Sequence, residues 1–426
     1  INLFFARSMM QLMAESPEML STLRVLEPMG IKGHNAKLDD ESLAAGDRFL
    51  QQLKDNYEVL MSYDDDLSEA DRMSKDIAAF MLGNIVEAEQ FRFLNFPVNQ
   101  MFGVQSSFPS FMQSTHQIDS VRDAEDYVKR LNAVGIKFDQ VLEGLNRREE
   151  LEIYPPQFLV TKVLEEMQNF IATPVEEGIL MVSLLDKMEE AELDGEDQER
   201  IALEARAAIT ETVYPAYERL IAHFEALDEV VEYNRGAWSL PGCEDYDRQM
   251  LKLMTTTDYT PQYIHEIGLA EVDRIQAEIL DILAGEGWNV SGGFTAAIEE
   301  MADSPQFYFS DSDEGREQIL AEYTSLIEEI SGELDPWFAT IPEAEVEVRR
   351  VPEFKEKTAP GGYYEIPAMD GSRPGVFYAN LYDIKATPKY GMRTLTYHEA
   401  IPGHHFQLAI QQEQENLPFF RRLIPM

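Results

Sequence analysis

His398-Glu399-Ala400-Ile401-Pro402-Gly403-His404-His405 holds three of the chain's seven histidines in eight residues, with a glutamate directly after the first. Imidazole nitrogens ligate divalent transition metals, and a neighbouring carboxylate can take a proton from metal-bound water. The string has the logic of a zinc-hydrolase helix but not its spacing. In His-Glu-x-x-His the two histidines stand at i and i+4, about 40° apart on a helix of about 3.6 residues per turn. Here i+4 is Pro402, which offers no ligand atom. On an unbroken helix His404 at i+6 would lie about 120° from His398, and His405 at i+7 about 20° away. Pro402 lacks an N–H and its ring collides with the carbonyl of His398, so with Gly403 behind it the helix is expected to bulge or break. A bulge selects His404 as second ligand and a straighter path selects His405; both stay open at this level. Adjacent histidines by themselves usually mark a polar surface. The complete string, set between apolar Leu395, Phe406 and Ile410, points to metal because local rules tend to be broken at functional sites.

The rest of the chain reads as a globular body. Its 426 residues are 44% hydrophobic and 10% aromatic, enough to bury a large core. No apolar run approaches the roughly 20 residues of a membrane span. Against 78 acidic residues stand 35 basic ones, a net charge of −43, which argues against nucleic acid or an anionic membrane surface as partner. Cys243 is the single cysteine; it cannot form an internal disulfide, and its Leu-Pro-Gly-Cys turn suggests an inert thiol.

Helices are expected to dominate. Ser120 opens an amphipathic stretch with Tyr127, Leu131, Val134, Phe138, Val141 and Leu145 at three- and four-residue steps. Pro155-Pro156 predicts a helix running to about Ala172, and Thr173-Pro174-Val175-Glu176 has the form of a capping box with Pro at the first helical position. A long helix from about Glu196 to Leu227, kinked at Pro215, follows Asp194-Gly195. Thr260-Pro261 opens another, and one more spans about Gly315 to Leu334. Near residue 345 the pattern changes. Val346 to Val351 begins with strand-like alternation, and Gly375 to Leu381 reads as a second strand after an Asp370-Gly371 turn. The expected fold is mainly α: a large helical body with a cleft and a small β-sheet element beside the metal helix. A helical portion over 1–235 and a catalytic portion over 236–426 are the expected division. The small sheet lies at about 346–382 and the metal helix at about 391–415, with the turn-rich 233–242 as the join.

Asp370-Gly371-Ser372-Arg373-Pro374-Gly375-Val376-Phe377-Tyr378, followed by His398 to Gln407, resembles the bacterial family called domain of unknown function 885. The match is specific over roughly 345–422. That family is grouped with the gluzincin metallopeptidases, so the resemblance implies a helical metallopeptidase-like fold with one zinc ion and, as third ligand, a Glu on a later helix in a motif beginning Glu-Gly-Trp-Ala. The given sequence stops at Met426 before any such motif and starts at Ile1, which leads us to expect a fragment. Glu286-Gly287-Trp288 is followed by Asn289-Val290 and reads as a turn. Many family members are exported or lipoproteins, which implies an envelope or periplasmic location, with a lipid anchor on the missing N-terminus.

Roles follow from the chemistry. His398 with His404 or His405 would hold zinc, and Glu399 would act as general base on the attacking water. Tyr378 and Tyr397 are candidate donors to the developing oxyanion. Arg373 has the geometry to clasp a peptide carboxylate or to form a structural salt bridge. His265-Glu266 has no histidine in the next two turns, and His34, His116 and His223 lack neighbouring ligand types. The expected activity is zinc-dependent hydrolysis of peptide bonds, of short peptides or carboxy-terminal residues. The alternative is an envelope protein that keeps the fold and binds a peptide or small amide without cleaving it.

Overall fold

The computed structural model of the chain describes residues 1–63, 66–231 and 233–423. Helices α1 (Asn2–Ala14), α2 (Pro17–Leu23), α3 (Leu43–Met61) and α4 (Glu69–Glu87) come first. Ser16, Ser42 and Ser68 each accept a hydrogen bond from the N–H three residues on. Such a cap satisfies an otherwise orphaned helix donor and contributes about 1 kcal/mol. Phe4, Phe5, Met9, Met13, Leu20 and Leu60 form the inner face of this layer.

The main core belongs to the next helices. A short α5 (Val104–Ser110) runs into a π-helical turn at Phe111–Thr115. The 30-residue α6 (Val121–Glu150) follows Ser120, and all six of its expected apolar positions are buried, as an amphipathic helix requires. Next is α7 (Gln157–Ala172), with Pro156 at its N-cap. Thr173–Glu176 does not start a helix. Residues 175–177 form an isolated turn, the Tyr214 hydroxyl donates to the Thr173 carbonyl at 2.7 Å, and extended backbone at Gly178 delays α8 to Ile179–Glu190. The helix expected over 196–227 is three pieces: α9 (Gly195–Ala208), a π-helical turn at Ile209–Val213, and α10 (Tyr214–Asp228). Pro215 brings no N–H and needs room beside the carbonyl four residues back, which the wider π turn supplies.

Outside this core lie α11 (Cys243–Thr255), α12 (Pro261–Gly285) and α13 (Gly293–Ala302). Thr260 caps α12 by accepting from the Tyr263 N–H, and only Leu283 of that helix is buried. The chain returns through α14 (Asp313–Ser331), which buries Ile319, Tyr323, Leu326 and Ile327.

A three-stranded sheet packs on α14. It comprises β1 (Val346–Arg350), β2 (Gly362–Glu365) and β3 (Gly375–Ala379), in the order β1-β3-β2, with β1 parallel and β2 antiparallel to β3. β1 and β3 are the two expected strands. β2 has no apolar–polar alternation to announce it. Every residue of β3 is buried, as suits a central strand covered on both faces. Side chains alternate between the faces: Phe377 and Ala379 meet Tyr323 and Met392, while Val376 and Tyr378 meet Val351 and Tyr363. Tyr364 stands opposite Phe377 and Tyr363 opposite Tyr378, so the two adjacent tyrosines of β2 serve opposite faces.

The chain closes with α15 (Lys389–Glu399), α16 (His404–Glu413) and α17 (Phe419–Leu423). Phe420 packs on Phe5 with ring centroids 4.8 Å apart, so apolar packing crosses the expected join at 235/236. Among the described residues no helix is long and apolar enough to cross a membrane.

Candidate metal centre

The expected metal helix over 391–415 is two helices, α15 and α16, separated by residues 400–403. Ala400 leaves helical geometry at φ −105°, ψ −98°, and Gly403 enters α16 at φ −85°, ψ −130°. The Ile401–Pro402 peptide bond is cis. The missing Pro402 donor is bypassed: the Phe406 N–H reaches back to the Ala400 carbonyl at 3.3 Å, and the Gln407 N–H to that of Gly403 at 3.0 Å. Gly403 passes hard against the end of α15. A Cβ there would stand 2.0 Å from the His398 carbonyl oxygen and 2.3 Å from that of Tyr397. Only glycine lets the chain turn back this closely.

That close return brings His404 to His398. Their ring centroids are 4.5 Å apart at 75°. One ligand atom from each of His398, Glu399 and His404 lies within 4.8 Å of the other two. Two nitrogens each about 2.1 Å from one ion stand at most about 4.2 Å apart, so the two imidazoles lie near the separation that a shared cation requires. Imidazoles are donors that a divalent zinc-like ion takes, and the Glu399 carboxylate stands beside both. Glu399 is buried at 6% exposure. Burial raises its carboxyl above the ordinary range, while His398 and His404 pull it back down.

His405, the other candidate ligand, faces away. It is fully buried, with Nε2 at 2.9 Å from the Ala344 carbonyl oxygen and Nδ1 at 2.9 Å from the Tyr364 hydroxyl. Both ring nitrogens are therefore engaged, and burial lowers the pKa of the imidazole. Of the two histidines the sequence leaves open, the fold brings His404 to His398.

Tyr378 is not brought to the cluster. It lies on the sheet face away from α15, stacked on Tyr363 with centroids 4.9 Å apart, because strand alternation turns it opposite to Phe377. Tyr397 accepts a hydrogen bond from Arg393 Nη1 at 2.8 Å. Arg373 is buried, its Nη1 donating to the Ile366 carbonyl at 2.7 Å and Nη2 to the Thr22 carbonyl at 3.1 Å. Through these two bonds it ties the sheet's approach loop to α2. Three of the other four histidines pair elsewhere, His34 with Glu27 at 2.9 Å, His116 with Arg130 at 2.7 Å and His223 with Glu149 at 3.0 Å, and His265 is exposed on α12. Glu286-Gly287-Trp288 follows α12 as a turn, with Gly287 at φ +87°.

Two residues beside the cluster escape sequence reasoning. The Tyr364 ring lies parallel to that of His404, 15° between planes and 6.4 Å between centroids. Gly375 gives the Tyr364–His405 pair its space, since a Cβ there would come within 2.4 Å of the hydroxyl and 2.6 Å of His405 Nδ1. Glycine in the Gly-Ser-Arg-Pro-Gly run was a local signal for close approach; nothing local marks Tyr364.

Comparison with known proteins agrees with the family resemblance read from residues 370–378 and 398–407. The chain belongs to the family described as bacterial protein of unknown function (DUF885), whose model matches residues 26–426. A crystal structure of "the putative lipoprotein from Colwellia psychrerythraea" is similar, with a TM-score of 0.91 and 26% identity over 99% of this chain and 74% of that one. A structure of "a putative lipoprotein of unknown function from Shewanella oneidensis" shares the fold, with a TM-score of 0.60 and 15% identity over 97% of this chain and 72% of the other. No curated protein matches the chain.

Proposed function

We propose that this protein is a zinc-dependent hydrolase of peptide bonds. The convergence of His398, Glu399 and His404 within 4.8 Å carries the reading. His398 and His404 would hold the ion from the last turn of one helix and the first turn of the next. When bound, zinc lowers the pKa of a coordinated water and polarises the carbonyl to be attacked. Glu399, withdrawn from solvent beside both histidines, accepts the proton of the attacking water and passes it to the leaving amine. β2 borders the sheet with one edge unpaired by β1 or β3, and an edge strand can hold an extended peptide through main-chain hydrogen bonds. Its Tyr364 beside His404 sets that edge next to the reactive cluster. The third ligand that the resemblance implies, a glutamate in a Glu-Gly-Trp-Ala motif, is not among the described residues.

An envelope location is part of this proposal, supported by the description of the similar Colwellia psychrerythraea structure as a "putative lipoprotein". Metal analysis of the full-length protein with a peptide-library cleavage assay tests the activity, with wild type and Glu399→Gln compared. One zinc per chain in both proteins, and cleavage about 10²- to 10⁴-fold slower in the variant, is the expected result for loss of a general base. Equal, chelator-insensitive cleavage by both would sink the mechanism. Zinc without any cleavage would favour the peptide-binding alternative.

A further inference from the structure

Three parts of the sheet converge on one buried histidine that is not itself in the metal cluster. The Ala344 carbonyl, just ahead of β1, accepts from His405 Nε2 at 2.9 Å. A carbonyl can only accept, so Nε2 carries the ring proton and Nδ1 presents a lone pair. The Tyr364 hydroxyl of β2 must then be the donor in its 2.9 Å contact with Nδ1. Gly375 at the start of β3 supplies the space in which hydroxyl and imidazole meet. His405 is the second residue of α16, directly after His404.

We infer that Tyr364 is a positioning residue for the metal pair: through its hydrogen bond to His405 it fixes the first turn of α16 and hence the direction of the His404 imidazole. The turn at 400–403 makes such a brace necessary. His404 follows a helix break, so α15 does not set its direction through a continuous hydrogen-bond ladder. A side chain that must meet His398 there needs an external reference, and the sheet provides it. Tyr364 is well placed for the task, because its ring also runs parallel to that of His404. Burial holds its phenol above the ordinary range, keeping it a donor.

This inference rests on the metal-site reading above, and its test separates the two. Zinc affinity of the full-length protein is measured by competition with a chromophoric chelator, for wild type and Tyr364→Phe. Losing a partner hydrogen-bonded directly to a ligand typically weakens metal binding about 10- to 100-fold; Tyr364 acts through His405, so a loss of about tenfold is expected in a variant that melts like wild type. The visible spectrum of the cobalt-substituted protein should change as well, which a merely space-filling tyrosine would not cause. Unchanged affinity and spectrum in folded Tyr364→Phe overturn the positioning role alone; a wild type that binds no zinc overturns the metal site and this role together. Should Tyr364→Phe fail to fold, Gly375→Ala, whose methyl intrudes between hydroxyl and imidazole, is expected to give the same loss, and wild-type affinity in that variant overturns the role. In nitrogen NMR of the metal-free protein, His405 should be protonated at Nε2; protonation at Nδ1 overturns it.

Discussion

The imidazole of His404 meets that of His398 at 4.5 Å across a helix break, a contact that six residues of unbroken α-helix would place about 120° out of line. Everything proposed for this protein depends on that turn, and the turn depends on a glycine whose hydrogen leaves room for two carbonyl oxygens.

Gly403→Ala is therefore expected to damage the site more than its single methyl suggests. The added carbon would overlap the His398 and Tyr397 carbonyls, at 2.0 and 2.3 Å, so the turn must open and carry His404 away. Overpacking of this kind destabilises by about 1–3 kcal/mol. Urea denaturation should show that loss, and zinc analysis should show a metal content well below that of wild type. A variant retaining both stability and zinc would mean that the turn does not hold the pair together.

Tyr378→Phe provides the opposite control. Its hydroxyl lies on the face of β3 turned from α15, so turnover and zinc content should stay within about twofold of wild type. A variant that keeps its stability and its zinc but loses more than about a hundredfold in turnover, the loss typical of an oxyanion donor, would return Tyr378 to the chemistry.

Glu166 should give the body a measurable pH dependence. This carboxylate is buried at 2% exposure between α7 and the segment before β2, accepting from Thr358 at 3.1 Å. Desolvation raises its pKa to about 7, against smaller opposing effects of the Thr358 hydrogen bond and Lys355. In the unfolded chain it titrates near 4.5. Between these values the folded protein binds the extra proton, so this contribution is complete below about pH 4.5 and is lost as pH rises through about 7. The span corresponds to about 3 kcal/mol. Glu166→Gln, which cannot ionise, should gain stability relative to wild type between pH 5 and pH 8 in urea denaturation. A constant difference across that range would contradict the assignment.

Much of the helical body was legible because its signals are local. Ser120, Pro156, Asp194 and Thr260 act within one turn of the helices they start, and the three- and four-residue steps of α6 fix its buried face without reference to any other element. Thr173–Glu176 failed as a helix start despite the right residue types, because Gly178 and the hydroxyl of distant Tyr214 settle that backbone. β2 was missed for a related reason: Gly-Tyr-Tyr-Glu is a strand only because β3 offers it a partner. The face on which Tyr378 lies was not legible, because a strand's period is visible in sequence while the face that meets α15 is not.

The sequence by itself determined that a helix would break at Pro402-Gly403 with histidines on both sides of the break, since proline's missing donor and glycine's missing side chain act on the nearest backbone. Tertiary structure alone decided which histidine completes the pair. His404 and His405 are chemically identical neighbours. What separates them is that the Ala344 carbonyl and the Tyr364 hydroxyl, brought from different strands, occupy both nitrogens of His405 and leave His404 to face His398.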